Sequence, residues 1–447
     1  MSASVEGPEA ADAPATRRER WGWYFYDWAN SAFPTSVVTV FLGPYITSVA
    51  KAASTDGYVY PLGIKVAVAA LWPYLVSLSV ALQVIVLPIA GALADYGRRK
   101  REMLAGLAFV GAAATASMYW LTDGRYLFGA AVFLLANVTF GASLAVYNAF
   151  LPEIASPEER DSASSWGWGF GYLGGGLLLV LQLGLFANAA RFGLTEGEAA
   201  RIALAVSGVW WGVFTIIPFL TLRNRGASRK PPQGKTQLGA ALGQLWNTLR
   251  EVRGLPQTML FLAAFLIYND AAQTVLTMAA QFGSEELHLD LATLSSAVLL
   301  TQFVAIAGAV TFARLAKWFG SQRAVLGSLV VWIVVLVYVF AVLSTKAEFY
   351  AVASAVGFVM GGTQALSRSL FSFLIPKGHE AEYFSVYEIS DKGTSWLGPL
   401  TVGLALQWTG NFRLALLSLI VFFAVGFVLL SMVNMKGAAR EAGNEFR

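Results

Sequence analysis

Ten stretches of this 447-residue chain contain no Asp, Glu, Lys or Arg: 28–50, 66–94, 103–122, 126–150, 162–190, 202–222, 291–313, 324–345, 393–412 and 414–435. Each is about as long as the ~20 residues an α-helix needs to cross a bilayer. Two more reach that length: 254–284, interrupted only by Asp270, and 349–367, if its ends run into the interface. Lipid offers no hydrogen-bond partner to irregular backbone, so such runs cross as helices. Composition agrees, with 56% hydrophobic and only 13% charged residues, where a soluble chain carries about a quarter charged. The expectation is an all-α membrane protein of twelve transmembrane helices.

The net charge of +4 is distributed as topology requires and does not point to nucleic acid. Basic residues crowd the N-terminal tail (Arg17, Arg18, Arg20), the turn after the second span (Arg98, Arg99, Lys100, Arg101), the connector from Arg223 to Arg253 and the turn after the eighth span (Arg314, Lys317, Arg323). Alternate loops are poor in them, so both termini are expected on the cytoplasmic side. Residues 1–20 read as a disordered cytoplasmic tail without the apolar core of a signal peptide. There is no cysteine, which excludes disulfides and thiolate metal sites. No nucleotide-binding loop is present, and no cofactor is implied. Neither H-E-x-x-H nor G-x-S-x-G occurs, and the two histidines, His288 and His379, fall in expected loops; an enzyme is disfavoured.

Polar residues placed where lipid would reject them mark the candidate site. At the head of the first span, Asn30 and Ser31 follow Asp27 by three and four residues, so a helix projects all three from one face. Pro34 lacks an N–H and frees the carbonyl of Asn30. An aspartate that merely starts a helix at the interface is the plain alternative. Asp270 is harder to explain away, because a charge near the middle of a span costs roughly 2.5–3.5 kcal/mol. Tyr268 and Asn269 precede it. Its alternatives are a substrate or proton site and an ion pair locking two helices. The spacing Gly167/Gly171/Gly175 makes a smooth face for close helix packing.

The halves of the chain echo one another. Leu151-Pro152 returns as Ile375-Pro376 and Tyr172-Leu173-Gly174 as Trp396-Leu397-Gly398, both displaced by 224, and Asp27-x-x-Asn30-Ser31 returns as Asp270-x-x-Gln273-Thr274. Two repeated halves around a mid-membrane site are what an alternating-access transporter needs. We expect a tail at 1–20, a six-helix half at 21–222, a cytoplasmic connector at 223–255, a second six-helix half at 256–435 and a tail at 436–447.

The run Gly91-Ala-Leu93-Ala-Asp95-Tyr-Gly97-Arg98-Arg99-Lys100 resembles the cytoplasmic loop signature of the major facilitator superfamily, with one residue between Asp95 and Gly97 where the family usually has two. Three further runs are Tyr26-Asp27-Trp28-Ala29-Asn30-Ser31-Ala32-Phe33, Gly361-Gly362-Thr363-Gln364-Ala365-Leu366-Ser367-Arg368 and Tyr387-Glu388-Ile389-Ser390-Asp391-Lys392-Gly393-Thr394-Ser395-Trp396-Leu397-Gly398-Pro399. With Tyr268-Asn269-Asp270 they resemble the vacuole-effluxer family, which comprises the autophagy-related amino-acid exporter of yeast vacuoles and its bacterial relatives. The resemblance covers all twelve spans and implies the major facilitator fold and a solute carrier.

The reading is a monomeric secondary transporter of a bacterial-type inner membrane, moving small zwitterionic solutes, with neutral amino acids first. Asp27 and Asp270 would meet an ammonium or carry a coupling proton, and Arg368 would meet a carboxylate. Asn30, Ser31, Asn269 and Gln364 would orient the solute, and Trp28 and Tyr268 would receive an apolar side chain. Glu388 and Lys392 are an i,i+4 pair, in the eleventh helix or in a solvated loop before it. Asp95, Arg98, Arg99 and Asp391 would gate the cytoplasmic side. Exporters of sugars, drugs or lysolipids, and a non-transporting sensor on the same fold, remain as alternatives.

Overall fold

A computed structural model describes residues 16–96, 99–122, 124–155, 160–224, 254–374, 387 and 395–442. The first span is one rod with three parts: α1 (Arg17–Asn30), a π-helical segment (Phe33–Phe41) and α2 (Leu42–Ala52). Its start corrects the expected tail. Arg17 to Arg20 are already helical, because Thr16 and Glu19 cap each other's backbone N–H groups, satisfying donors that a helix start leaves open. Beyond Pro34, the Leu42 N–H reaches back five residues to the Val37 carbonyl. The π segment is the form in which this helix absorbs the missing donor.

A short antiparallel hairpin follows, β1 (Tyr58–Val59) on β2 (Val66–Ala67). Then come α3 (Val68–Tyr96), α4 (Lys100–Ser117), α5 (Tyr126–Asn148), α6 (Leu151–Ile154), α7 (Arg160–Ala187) and α8 (Glu196–Thr221). The second half holds α9 (Pro256–Glu285), α10 (Leu291–Phe319), α11 (Ser321–Ala341), α12 (Lys346–Ser372), α13 (Leu397–Thr409), α14 (Phe412–Leu417), α15 (Ile420–Met432) and α16 (Met435–Glu441). The last, from Lys436 on, falls in the expected C-terminal tail. Among the described residues eleven helices are long and apolar enough to cross a membrane. The expected eleventh span is seen only as the thirteen-residue α13, so the count of twelve is not reached on these residues. The shortest expected span, 349–367, is lengthened at its start by a capping box of Thr345 with Glu348.

Small residues set the packing. In the first half α1 lies against α7 and α8, and α4 against α5 and α8; in the second, α10 lies against α12 and α9 against α15. A methyl group at Gly208 of α8 would come 2.3 Å from the Ala116 nitrogen, and one at Gly361 of α12 1.9 Å from the Ala305 carbonyl oxygen of α10. Only glycine permits these backbone approaches. The halves meet where α3 packs on α13, α7 on α10, and the π segment with α2 on α9.

Candidate functional site

α1 presents Asp27 and Ser31 to the glycine face of α7. A methyl group at Gly167 would lie 2.6 Å from Asp27 Oδ2, and one at Gly171 2.7 Å from Ser31 Oγ. The close-packed face expected from the Gly167/Gly171/Gly175 spacing therefore serves the first span. The Tyr147 hydroxyl of α5 donates to Asp27 Oδ2 at 2.7 Å, and the Tyr147 ring stacks on Trp23 at 4.3 Å. Asn30, on the same turn, is 3% exposed, and its Nδ2 has no partner among the described residues. Trp28 stacks on Trp210 at 5.6 Å and meets Phe214 edge-on.

The second half holds Asp270 in a different way. Asp270 is 1% exposed, and its Oδ2 accepts the Gly398 N–H at 2.7 Å. That N–H belongs to the first turn of α13, where helix donors lack internal acceptors. A carboxylate on one helix thus caps another, with the helix dipole favouring the anion. The Thr274 hydroxyl lies beside the carboxylate but donates to the Asp270 main-chain carbonyl, which leaves Oδ1 buried and unpartnered among the described residues. Asp270 borders a pocket of ≈ 140 Å³ with Ala263, Leu266, Ile267 and Leu397. Asn269, one residue earlier, accepts from Gln364 Nε2. Tyr268 is 1% exposed; its hydroxyl shares a 2.7 Å hydrogen bond with Ser367, and its ring meets Phe265 edge-on. It holds α9 to α12 and faces no opening among the described residues.

Arg368 stands exposed on α12, one turn beyond Gln364. Glu388, Asp391 and Lys392 lie outside the described residues, as does Arg98. Asp95 lies in the last turn of α3; Arg99, just before α4, is exposed. The neighbouring Lys100 is a buried cation: 2% exposed, it pairs with Glu153 at 2.6 Å, and beside it Arg20 Nε donates to the Ile154 carbonyl. Only the excess of basic residues around Lys100 could have hinted at this tie. Tyr147 was legible as a polar point in an apolar helix, but not as the partner of Asp27.

At the hairpin end the halves are clasped. Gln281 of α9, fully buried, donates through Nε2 to Thr47 Oγ1 at 3.1 Å and to the Ala69 carbonyl at 3.0 Å. Lys51 pairs with Glu285, and Gln407 of α13 accepts the Ala67 N–H of β2 at 2.7 Å.

The sequence pattern of the vacuole effluxer Atg22-like family matches residues 15–443. The chain belongs to this family. Among relatives of this vacuole-effluxer chain, the uncharacterized MFS-type transporter YxiO of Bacillus subtilis is 30% identical over 425 residues, covering 94% of this chain and 95% of its own. Autophagy-related protein 22-1 of Penicillium rubens is 26% identical over 561 residues, covering 98% and 94%. Solved structures share the fold. A point mutant of the nucleoside transporter NupG superposes with a TM-score of 0.68 at 14% identity over 93% of this chain and 100% of its own. The peptide transporter POT in complex with sulfate superposes with 0.66 at 13% over 98% and 99%. The chain is an integral membrane protein of the major facilitator fold, in a family of transporters.

Proposed function

We propose that this vacuole-effluxer relative is a carrier and not an enzyme, a secondary transporter that exports small zwitterionic solutes, neutral amino acids first, across an inner membrane. The observation that carries this reading is Asp270: a carboxylate buried in the middle of a membrane-crossing helix, with one oxygen unpartnered among the described residues and an apolar pocket beside it. The burial cost is several kcal/mol unless the group has a use, and a substrate ammonium or a coupling proton supplies one. Asp27 offers the matching carboxylate in the first half, with Trp28 and Ser31 near it, and Arg368 offers a fork that fits a carboxylate. Asn269 and Gln364 form a polar pair behind Asp270. With the termini cytoplasmic, the hairpin clasp lies on the outer side, so the described arrangement is closed outward. Rocking of the halves about the site would alternate access.

Counterflow tests the reading. Liposomes containing the purified protein and loaded with unlabelled neutral amino acids accumulate labelled leucine from outside if the assignment holds. Folded protein that accumulates neither leucine nor tyrosine removes both as substrates, and nucleosides, sugars and lysolipids are then the solutes to present. Ligand binding without flux would indicate a sensor.

A further inference from the structure

We propose that a recess between α13 and α14, on the membrane face of the second half, holds one acyl chain of a phospholipid from the leaflet at the hairpin end. The recess has a volume of ≈ 420 Å³, within the ~300–1,000 Å³ of small-ligand sites, and the transport reading makes no use of it. Thr401, Leu404, Ala405 and Trp408 line it from α13, and their i, i+3, i+4, i+7 spacing makes one stripe of the helix. The other sides of α13 are taken by protein. A methyl group on Gly398 would lie 2.2 Å from Thr274 Oγ1 of α9, and one on Gly403 2.7 Å from the Tyr74 ring of α3. The stripe points away from both neighbours, and Trp408 is 78% exposed. In a bilayer this side meets hydrocarbon, with Trp408, at the end of its helix, at the level where indole rings gather.

Leu414, Leu417 and Ser418 form the facing wall. That wall is indented because the last span breaks there, with α14 ending at Leu417 and α15 beginning at Ile420. Across the break the N–H groups of Leu419, Val421 and Phe422 reach back only three residues, to the carbonyls of Leu416, Ser418 and Leu419, the tighter winding that narrows a helix. On the α13 side Ala405 contributes a single methyl group, which keeps the recess open. The polar atoms of the lining are already used. The hydroxyls of Thr401, Thr409 and Ser418 donate to the carbonyls of Leu397, Ala405 and Ala415 at 2.8, 2.7 and 2.6 Å, and no lining residue is charged. Nothing here would recognise a polar solute, so the occupant is hydrocarbon. The α13 wall runs from Thr401 to Thr409, ~12 Å of helix rise, which is most of the ~15 Å of hydrocarbon in one leaflet. An acyl chain lying along α13 fits both the length and the chemistry.

The test titrates the full chain in detergent with a phosphatidylcholine brominated midway along one acyl chain, since bromine quenches tryptophan on contact. Subtracting the signal of Trp408→Phe from that of the native protein isolates Trp408 from the other tryptophans. The difference should saturate at one lipid per chain and amount to the emission of about one tryptophan in 14. Ala405→Phe fills the recess and should abolish the saturable part with Trp408 still in place; if that variant does not fold, Ser418→Leu fills it from the facing wall. Unbrominated phosphatidylcholine, phosphatidylethanolamine and phosphatidylglycerol should compete alike, because the lining holds no charge for a headgroup. Quenching of Trp408 that rises without saturation shows bulk lipid only and overturns the proposal, as does saturable quenching that survives in the filled variants. Displacement by phosphatidylglycerol alone would place recognition in a headgroup and overturn it too. So would two chains per particle by light scattering with Trp408 unquenched, which would assign the face to a second copy.

Discussion

Asp270 makes two demands that substitution can separate. As an acceptor it satisfies the Gly398 N–H; as an anion it carries the burial cost of a mid-membrane charge. Asp270→Asn keeps an oxygen for Gly398, and its new amide N–H can donate to the Thr274 hydroxyl oxygen beside it. The loss is the charged character of one hydrogen bond, ~1 kcal/mol. The gain is relief from burying a charge, roughly 2.5–3.5 kcal/mol on insertion scales. The variant should therefore be more stable than the native protein, by ~1.5–2.5 kcal/mol. Asp270→Ala loses the same charged character and then the hydrogen bond itself, leaving a buried N–H without a partner at a further cost of ~1–3 kcal/mol. Its relief from charge burial equals that of the asparagine variant, so Asp270→Ala should be the less stable of the two by ~1–3 kcal/mol. The 14 tryptophans report unfolding in detergent by intrinsic fluorescence, and leucine counterflow is measured on the same preparations. Both variants should lose counterflow. Equal melting of Asp270→Asn and Asp270→Ala would refute the cap on α13, and full exchange by Asp270→Asn would refute the role of its charge in transport.

Two further outcomes follow from the packing. Gly174→Ala drives a methyl group against the Trp28 main chain of α1, which cannot swing away, at ~1–3 kcal/mol, whereas Gly169→Ala meets open space and should gain ~0.5–1 kcal/mol of helix stability; thermal unfolding of the pair checks that Gly174, and not Gly169, faces α1. Gln281→Leu strips two hydrogen bonds from the hairpin-end clasp and should shift the carrier toward the state open at that end. Because the native chain has no cysteine, spin labels on cysteines introduced at Ala52 and Ser284 read this directly as a longer distance population; an unchanged distribution would show that the clasp does not hold the halves.

The sequence by itself determined the membrane class, the helical fold and the places where a charge has no ordinary reason to be. Charge-free runs of spanning length admit one secondary structure, and Asp270 stands out because nothing within its own run can satisfy it. The smooth face of α7 was legible for the same reason, since Gly167, Gly171 and Gly175 follow the helical period. What Asp27 and Asp270 touch was decided only in three dimensions. Tyr147 is 120 residues from Asp27, and a polar point in one apolar helix does not say which other helix it will meet. The donor to Asp270 is a main-chain N–H of Gly398, which no side-chain pattern announces. Tyr268, read as a site residue from its neighbours in sequence, is turned to Ser367 because one residue's rotation about a helix carries a side chain from one neighbour to another. The π segment after Pro34 and the clasp of Gln281 on Thr47 and Ala69 depend on how the halves dock, and that is set by backbone contacts far apart along the chain.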